Sequence, residues 1–572
     1  MERRVLLAVL LSFLVLYAVQ ALFPSPPDTA KKTEQASKVA TAPNASAPAQ
    51  SNPTPSTQPA EAAPDAAAQA PESDVVVDNP GVHAVFTTRG AVVKSWQLKR
   101  FRDAQDQPYE MLAGHMPPGS PLPFTLGADD PALEARLATA PFKVSAQTGA
   151  DGAWKAQFDY DDGAGLHAQK IFSIAPDRPY LVIVTASLTR NGQPLPVILK
   201  WGPALGSGIT VKSRVYNPPP QPIFSRDRSV TRMSVDKIPA QPVQEGKFDF
   251  AGVDDHYFIT AVVRPQDPIR LDFAPVSVQL DDHPDGAHYV SWTARYPSGA
   301  NSLSYFVGPK SFDALRAVDP EFINAIHFGT FQWLVVPLLQ SLKWVYGYVG
   351  NYGWSLIILT IVINLVMFPL RHKSVVSMRK MQEVQPEVKA IQDRYAHLKM
   401  SDPGRAKMNQ EMMALYKERG VNPASGCVPM LLTLPVLYAF YSVLSVAIEL
   451  RGAPFFGQIH DLTAHDPWFI WPIAMGVTMF IQQKMTPTTA DPTQQRMMLI
   501  MPVMMSGMFL WASAGLVIYW TVSNVWGIAQ QLITNRIIGP APQRLPPRPP
   551  AERRVKTVGG GKTLQASKER PS

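Results

Sequence analysis

The sequence predicts a multi-domain protein: an all-β region between one N-terminal membrane anchor and an α-helical polytopic membrane core. Three observations predict this arrangement. Apolar residues are crowded into the first two dozen positions and into the stretch after Phe328, with a long polar region between them. That polar region consists of short runs in which apolar and polar residues alternate, as in half-buried strands. Within the second apolar stretch Lys and Arg are concentrated in particular loops, a pattern typical of membrane proteins.

The composition narrows the class of protein further. The chain has 572 residues, of which 46% are hydrophobic, and a formal net charge of +8. This charge does not by itself indicate a nucleic-acid partner, because membrane proteins keep Lys and Arg on their cytoplasmic side. Cys427 is the single cysteine, so the chain cannot form an intramolecular disulfide.

The first element is a membrane anchor over residues 1–23. Two arginines precede an apolar run from Val5 to Phe23, and about 19 residues at a rise of about 1.5 Å span the hydrocarbon core. The alternative is a cleavable signal peptide, but the residues before Ala21 match a cleavage site poorly. We expect an uncleaved first span with its basic end in the cytoplasm. Residues 24–74, rich in Ala, Pro, Ser and Thr, are predicted to be a disordered linker.

Residues 75–320 are predicted to form a β-sandwich domain. Alternating runs such as residues 91–98 and 180–188 are separated by Gly, Pro and Asp, the residues of turns. Before Ser311 no amphipathic run is long enough to predict a helix. Acidic groups at 159–162 and 254–256 could suggest metal binding, but their spacing fits no metal-binding loop and favours solvated turns.

The helical half begins with an amphipathic segment, 321–350, whose Trp, Gln and Lys residues predict a helix lying in the membrane interface. Apolar stretches then predict further spans. The last stretch is about 37 residues long, twice what one crossing requires, so it is predicted to be a hairpin turning at residues 512–515. The predicted spans are span 2 at 351–370, span 3 at 427–448, span 4 at 468–483, and spans 5 and 6 at 497–534.

The distribution of charge predicts the topology. The segment 371–426 and the tail 535–572 are rich in Lys and Arg, whereas the loop 449–467 carries Arg451 as its one Lys or Arg. By the positive-inside rule the first two are cytoplasmic and the third is periplasmic, with 484–496 a short cytoplasmic loop. Both termini are then cytoplasmic, which requires an even number of spans. With six spans, every loop lies on the side of the membrane that its charge predicts.

The cytoplasmic segment 371–426 is predicted to be a basic helical hairpin. Met381, Val384, Val388 and Ile391 recur at spacings of three and four, which is the pattern of a helix–helix seam. A Pro-Gly break at 401–404 separates this helix from a second one over about 405–419. The hairpin either binds a partner or serves as a spacer.

The helical half closely resembles the YidC/Oxa family of membrane insertases from about Phe322 to Thr534, and the anchor, linker and β domain match the Gram-negative type in arrangement. Whole runs carry the resemblance, in addition to the six-span layout. These are residues 368–370, 410–417, 421–423, Cys427, 459–462, 475–480, 484–485, 487–489 and 522–524.

The resemblance implies a five-helix insertase core in the inner membrane, enclosing a hydrated groove open to cytoplasm and lipid, and a periplasmic β-supersandwich. It implies an insertase and chaperone that works alone or beside the Sec translocon and its accessory subunits, with no enzymatic activity, cofactor or metal. The expected partners are nascent membrane proteins and the lipid bilayer. The basic hairpin and the basic, proline-rich tail are expected to contact the ribosome or signal-recognition targeting components, with anionic lipid headgroups as the alternative for the tail.

One position departs from the family pattern. Members usually carry a basic residue, most often Arg, five positions before the Pro-Leu pair, and this chain has Asn364 there. Thr360 lies one helical turn away on the same face. The resemblance places both residues in the groove, and Asn364 could equally be a structural interhelical residue. Positive charge is expected only at the groove mouth, from Arg371, His372 and Lys373.

The resemblance also implies residues on the other helices of the groove. Tyr519 and Trp520 match the paired aromatic position of the last span. Spans 3 and 5 are expected to form an apolar slide, because flexible thioethers suit a surface that accepts many sequences, although methionine in a membrane helix is also common in packing and lipid contact. The candidate slide residues are Met430, Leu431, Leu434, Pro435, Met501, Met504, Met505 and Met508.

Two other classes of protein remain as alternatives. A solute transporter would have internally repeated halves with broken polar helices, and the sequence shows no such repeat. An envelope-assembly protein would use the β domain as its active part and the spans only as anchors. Enzymatic alternatives are weak, since Lys556 takes the place of the first Gly that a phosphate-binding loop ending in Lys562-Thr563 requires.

Overall fold

The computed structural model describes most of the chain between residues 71 and 538. The described ranges are 71–103, 106–206, 219–280, 286–298, 301–329, 331–397, 402, 404–421, 428–486 and 492–538. Side chains at 298, 301, 428–433 and 492–496 are not described. The predicted anchor 1–23, nearly all of the linker and most of the basic tail therefore lie outside the described residues.

The first half of the described chain is rich in strands, as predicted. In chain order the strands are β1 Asp74–Asp78, β2 Val82–Thr87, β3 Val92–Arg102, β4 Pro108–Glu110, β5 Thr125–Gly127, β6 Lys143–Thr148, β7 Trp154–Asp161, β8 Leu166–Ile174, β9 Leu181–Arg190, β10 Gln193–Pro194, β11 Pro196–Ala204, β12 Gln221–Arg226, β13 Ser229–Arg232, β14 Val243–Gly246, β15 Phe250–Asp254, β16 Phe258–Val263, β17 Ile269–Val278, β18 Ala287–Ser298 and β19 Asn301–Pro309.

These strands pair antiparallel in three sheets. One has the order β1-β2-β3-β4, a larger one the order β13-β12-β15-β16-β19-β9-β8-β7-β6 with β10 beside β9, and a third the order β14-β17-β18-β11-β5. Side chains alternate between faces as the sequence pattern predicts, and β8 buries every second residue from Leu166 to Ile174. The β-rich fold of this region is confirmed, and the sandwich arrangement stays a prediction.

Large aromatic side chains join the sheets in one core. The rings of Trp201 and Trp292, both in the third sheet, are 5.9 Å apart, and Trp201 stacks on Tyr305 of the second sheet at 6.3 Å. The Trp96 indole on β3 donates a hydrogen bond of 3.1 Å to the Val307 carbonyl on β19. Aromatic rings bury much apolar area while an indole N–H can still find a partner, so these contacts hold the three sheets together.

The expectation of an all-β region is wrong at one point. Residues Pro131–Thr139 form a helix, α1, inserted between β5 and β6. Asp130 caps it by accepting a hydrogen bond from the Ala132 N–H, and Leu133 and Leu137 are its buried residues. Two buried residues one turn apart are too few to show a helical period in the sequence, so the capping residue Asp130 is the feature that could have indicated this helix.

The second half of the described chain is helical. Its helices are α2 Phe312–Val318, α3 Gln332–Val349, α4 Tyr352–Arg394, α5 Gly404–Glu418, α6 Val428–Val446, α7 Ile470–Met485, α8 Pro492–Met508 and α9 Ala514–Ile538. α4 combines predicted span 2 with the first arm of the hairpin in one continuous helix of 43 residues. The predicted boundary at 370 marks a change from apolar to basic residues, and such a change alters the surrounding solvent without ending the helix.

The two predicted hairpins both correspond to pairs of helices. Met381, Val384 and Val388 of α4 form a buried cluster with Val421, and Met412 and Leu415 of α5 pack against it. This is the seam predicted for the cytoplasmic segment. The last apolar stretch is divided between α8 and α9 by a short 3-10 turn at 509–511.

The length and composition of the helices test the predicted spans only in part. Among the described residues α4 alone is long and apolar enough to cross a bilayer, and Leu434–Val446 and Met497–Trp511 are shorter apolar stretches. The helical character of this half is confirmed. The count of six spans stays a prediction.

The strand-rich and helical regions share one continuous apolar core, which runs from the sheets through Phe322 and Phe328 to Phe440 on α6. Polar groups also cross the junction. His256, in the turn between β15 and β16, lies 2.6 Å through Nε2 from the Ser445 carbonyl of α6. Asp254 beside it is buried and forms ion pairs with Arg232 and Lys310 at 3.1 and 3.0 Å. The expectation of a solvated turn here is wrong, because the two cations allow the carboxylate to be buried.

The state of His256 predicts how the junction responds to acid. Burial lowers the pKa of His256 to about 4, with Asp254, Lys310 and Arg451 as the charged neighbours. In the unfolded chain the pKa is about 6.5, so between these values the unfolded state binds more protons. The stability that neutral His256 contributes is present above about pH 6.5 and falls by about 3 kcal/mol toward pH 4. The free energy of unfolding, measured with urea, should fall between pH 6.5 and pH 4 more steeply for wild type than for His256→Gln. If it falls equally with pH in both proteins, the buried neutral state of His256 is contradicted.

Lys170 is a second buried charge, on the inward face of β8. It is fully buried, and its Nζ donates to the carbonyls of Gly90, Ala91 and Phe124 at 2.8, 2.8 and 2.7 Å. All three residues have positive φ, which turns their peptide groups out of the strand pairing. Burial lowers the pKa of this ammonium. Lys170 therefore donates to three carbonyls that would otherwise be buried without a partner in the strand pairing.

Replacing Lys170 should destabilise the strand-rich region. We expect Lys170→Met to lower the free energy of unfolding by about 2–4 kcal/mol, because buried carbonyls are left without donors. The measurement is the urea midpoint of the purified chain, followed by tryptophan fluorescence. Lys143→Met on exposed β6 is the control and should change stability by less than about 0.5 kcal/mol. Equal midpoints for the two variants would show that the three carbonyls need no donor.

Candidate functional site

α9 is the central helix of the candidate site, since it packs against α4, α6 and α7. Its inward positions carry polar side chains although the helix is apolar overall. Thr521, Asn524, Gln530, Gln531 and Thr534 are all buried. Polar side chains inside an apolar bundle are costly unless they are paired, so their partners define the site.

Asn364 on α4 is buried and fully engaged. Its amide nitrogen donates a hydrogen bond of 2.8 Å to the Thr360 carbonyl, and its amide oxygen accepts one of 2.9 Å from Nη1 of Arg371. Thr360 is also buried, with its hydroxyl bonded to the Leu356 carbonyl at 2.7 Å. The Arg371 side chain therefore extends back along its own helix to Asn364. This hydrogen bond holds the Arg371 guanidinium beside Asn364, and the assignment of Arg371 to the groove mouth stays a prediction.

The other two predicted mouth residues differ from Arg371. The His372 ring lies 3.2 Å through Nδ1 from the Thr534 hydroxyl of α9 and is parallel to the Phe368 ring. Lys373 is exposed. One turn away, Gln530 of α9 donates a hydrogen bond of 3.4 Å to the Phe368 carbonyl. Polar bonds between α4 and α9 thus continue along the half of the pair that contains Phe368, His372 and Thr534.

Further polar contacts hold the neighbouring helices. The Asn524 amide lies 3.3 Å from the Thr478 hydroxyl and 3.4 Å from the Met475 carbonyl, both on α7. The Ser506 hydroxyl on α8 donates to the Pro472 carbonyl at 2.8 Å. These bonds fix α7 against α9 and α8, so the polar interior is spread over several helices.

Tyr519 and Trp520 do not act as one pair, although they are adjacent in sequence. Tyr519 is buried and stacks on Phe440 of α6, with ring centroids 4.1 Å apart. Trp520 is half-buried and meets Phe509 edge-on at 5.1 Å. Successive residues on a helix point about 100° apart, so the two rings reach different neighbours.

The predicted slide residues lie mainly on the surface of the helical region. Leu434 is 48% exposed, and Met501, Met504 and Met508 are 45%, 70% and 59% exposed. Pro435 and Met505 are partly buried. Met430 and Leu431 belong to α6, but their side chains lie outside the described residues. α6 packs on α3, and α8 packs on α7, so the two predicted slide helices have different supports.

Some residues of the site have no distinct signal in the sequence. Gln530 and Thr534 stand among apolar residues near a basic tail, where polar side chains are ordinary. Tyr441 is 45% exposed one heptad beyond Leu434 and shares its face of α6. The sequence does contain a signal for this face, because Leu434, Tyr438 and Tyr441 follow one another at helical spacings of four and three.

A strand-rich domain joined to a bundle of largely apolar helices with paired polar side chains inside it is the arrangement of a membrane protein that carries a large domain outside the bilayer. Two family models match this chain in agreement with that division. Residues 74–341 match the model described as YidC periplasmic domain. Residues 344–541 match the model described as 60Kd inner membrane protein.

Curated relatives cover nearly the whole chain. A protein of Syntrophus aciditrophicus (strain SB) is 33% identical over 566 residues, covering 94% of this chain and 100% of that protein. A protein of Geotalea daltonii (strain DSM 22248 / JCM 15807 / FRC-32) is 35% identical over 547 residues, covering 94% and 99%. Both are named membrane protein insertase YidC. The chain belongs to the YidC family of membrane protein insertases.

A solved structure is also similar to this chain. It is described as an active YidC insertase with the first transmembrane domain resolved, and it is 18% identical. The similarity covers 80% of this chain and 91% of that one, with a TM-score of 0.32. The assignment to the family rests on the sequence relatives and the family models.

Proposed function

We propose that this protein inserts helices of other membrane proteins into the inner membrane and assists their folding through a polar groove between α4 and α9. The observation that carries the proposal is the buried Asn364–Arg371 pair inside an otherwise apolar bundle. Moving an apolar segment from water to lipid is downhill, so no nucleotide or chemical step is required. The barrier lies in the polar flank that must cross, and a groove that offers polar partners lowers it.

The positive charge of the groove comes from Arg371 in this proposal. The YidC/Oxa family usually carries a basic residue at the position of Asn364, and here the Asn364 amide accepts from a guanidinium supplied two helical turns toward the cytoplasm. A hydrogen bond to a charged donor contributes about 1.5–3 kcal/mol, enough to hold a long side chain against its rotamer entropy. The guanidinium therefore lies at the depth of Asn364, although the backbone of Arg371 is two helical turns away.

We further propose the six-span layout with both termini in the cytoplasm and the strand-rich domain in the periplasm. α4 from Tyr352 to Leu370, α6, α7, α8 and α9 supply five spans, and the anchor 1–23 is the sixth. α3 lies in the interface, which suits its exposed Trp333, Trp344 and Tyr348. The Sec translocon, the ribosome and targeting factors are proposed partners of the hairpin formed by α4 and α5 and of the basic tail.

The surface of Leu434, Met501, Met504 and Met508 is proposed as the apolar slide. Each side chain is well exposed, and flexible methionines can pack against many apolar sequences without a fixed geometry. Their helices α6 and α8 pack against different neighbours, α3 and α7, and we propose that an entering helix passes between them. Binding to such a surface is weak at any one contact, which suits a helix that must leave into lipid.

The paired cation predicts a specific set of mutant phenotypes. Arg371→Ala should lower the insertion of a single-span substrate into liposomes about tenfold, the effect of losing one charged hydrogen bond. Asn364→Leu should also lower it, because Arg371 loses the acceptor that draws it inward. The exchange Asn364→Arg with Arg371→Asn should restore insertion, since it returns a cation to the same depth.

Lys373→Ala is the matched control for this experiment. Lys373 lies on the same helix and carries the same charge but is exposed, so its loss should leave insertion near the wild-type level. An equal loss in the Lys373 and Arg371 variants would show that only the general positive potential matters. Failure of the exchange variant, with the protein correctly folded, would show that Asn364 has a separate structural role.

The slide predicts where a nascent helix touches the protein. Photo-crosslinkers at Leu434 and Met504 should capture a stalled single-span nascent chain. One at Val366, which is 73% exposed and apolar on the outward face of α4, should capture much less. Photo-crosslinking of ribosome–nascent-chain complexes in membrane vesicles measures all three sites. Equal capture would mean that the entering helix has no preferred path, and the slide would be rejected.

A further inference from the structure

The periplasmic end of α6 and the turn after it carry a stripe of residues that faces the strand-rich domain. The stripe consists of Tyr438, Ser442, Ser445 and Glu449, which follow at spacings of four, three and four. This spacing places the three helical members on one face and extends that line just past the helix end. The members contact three parts of the chain that precede α4: the segment leading into α3, the strand-rich domain, and the start of α2.

The first two members contact the segment that leads into α3. The Ser442 hydroxyl donates a hydrogen bond of 3.0 Å to the Phe328 carbonyl and is buried. The Tyr438 ring meets the Phe331 ring edge-on at 5.2 Å. Gly329 has φ of 74°, and a Cβ there would come within 2.3 Å of the Tyr438 hydroxyl. Glycine is therefore required where this segment passes α6.

The next two members contact the strand-rich domain and α2. The Ser445 carbonyl lies 2.6 Å from Nε2 of His256. A carbonyl can only accept, so Nε2 of this ring carries the proton. The Glu449 carboxylate accepts from the Phe312 N–H at 3.3 Å and lies 3.9 Å from Nζ of Lys343 on α3.

Arg451, two residues further, enters a cage of aromatic rings on the strand-rich domain. Its guanidinium carbon lies 5.1 Å from the centre of Tyr109, 5.4 Å from that of Tyr257 and 5.0 Å from that of Phe258. Nη2 also donates to the Arg102 carbonyl at 3.4 Å. A guanidinium over several ring faces is attracted to each of them, and its planar shape allows the stacking that an ammonium lacks.

We infer that Arg451 and the stripe on α6 form a clamp through which the periplasmic domain positions α6. The inference rests on the proposed function, because it is the proposed slide face of α6, at Leu434, that the clamp would orient. Arg451 is a positioning residue: it acts through α6 and need not touch the substrate. Its cage draws on β4, the turn before β16 and β16 itself, so a shift of α6 along or around its axis would break contacts with separate strands.

The clamp fixes the direction in which Leu434 and Tyr441 point. A helix held only by apolar packing can rotate at small cost, because apolar contacts are not directional. Hydrogen bonds at Ser442 and Ser445 and the cage at Arg451 are directional. Ser442 and Ser445 follow Leu434 and Tyr441 along one side of α6 at helical spacings, so holding this side at its periplasmic end also fixes the direction of Leu434.

The test combines a distance measurement with substrate capture in the full chain. In a Cys427→Ser background, spin labels at the exposed positions Gln266 and His460 report the separation of the strand-rich domain from the loop after α6. We expect Arg451→Ala to broaden the distance distribution and Arg451→Lys to broaden it less. Arg295→Ala, which removes an arginine paired with Asp129 elsewhere on the same domain, should leave it unchanged.

Substrate capture separates positioning from a merely structural role. In Arg451→Ala we expect photo-crosslinking from Leu434 on α6 to fall about fivefold, on the scale of one lost cation–π contact, and capture from Met504 on α8 to stay the same. A distribution as narrow as that of wild type would overturn the clamp. So would a broadened distribution with undiminished capture at Leu434.

Two further readouts keep the test decisive. If Arg451→Ala does not accumulate in the membrane, Tyr257→Leu removes one ring of the cage and carries the same expectations. Loss of capture at both Leu434 and Met504 in wild type would overturn the proposed slide, whereas the spin-label distances would still decide whether Arg451 holds α6 to the periplasmic domain.

Discussion

The helical region depends on one constraint, which is that polar groups inside it must find their partners within the protein. Hydrocarbon offers no hydrogen bonds, so each buried amide or hydroxyl fixes a neighbour. Asn364 shows the consequence most directly, because it uses its amide nitrogen for Thr360 and its amide oxygen for Arg371. Gln530, Thr534 and Asn524 on α9 continue the same rule toward α4 and α7. The bonds of this polar interior align the helices that form the walls of the proposed groove.

α6 relates this groove to the rest of the molecule. Tyr519 of α9 packs against Phe440 on one side of α6. On the other side Leu434 and Tyr441 are exposed, and further along the same side Ser442 and Ser445 bond to the Phe328 carbonyl and to His256. Because residues two positions apart on a helix point in nearly opposite directions, one helix can serve both sets of contacts. The continuous apolar core from the sheets to Phe440 supports the same connection. The strand-rich domain and the groove are thus parts of one packed structure.

The sequence predicts the fold best where apolar residues recur at the spacing of a strand or a helix. The alternation in β8 and the helical spacing of Met381, Val384 and Val388 are long enough to identify the elements. The helix α1 could not be predicted, since two buried leucines do not make a period. The burial of Asp254 depends on Arg232 and Lys310, which are distant in sequence and are brought to it by strand pairing. The inward direction of Arg371 depends on a side-chain conformation, and no pattern of residue types specifies that.

The origin of the groove's cation affects how it can act. An arginine attached at the position of Asn364 would have to remain at that depth, whereas the Cα of Arg371 lies two helical turns nearer the cytoplasm. Its guanidinium is held inward by one hydrogen bond to Asn364 and can return to water by a change of rotamer when that bond is broken. Under the proposed function, a polar flank that competes for the Asn364 amide would release the cation, and a carboxylate would instead draw it along. The same pair would then bind an acidic flank and free it at the end of the groove that is proposed to face the cytoplasm, which a fixed buried charge could not do without a larger desolvation cost.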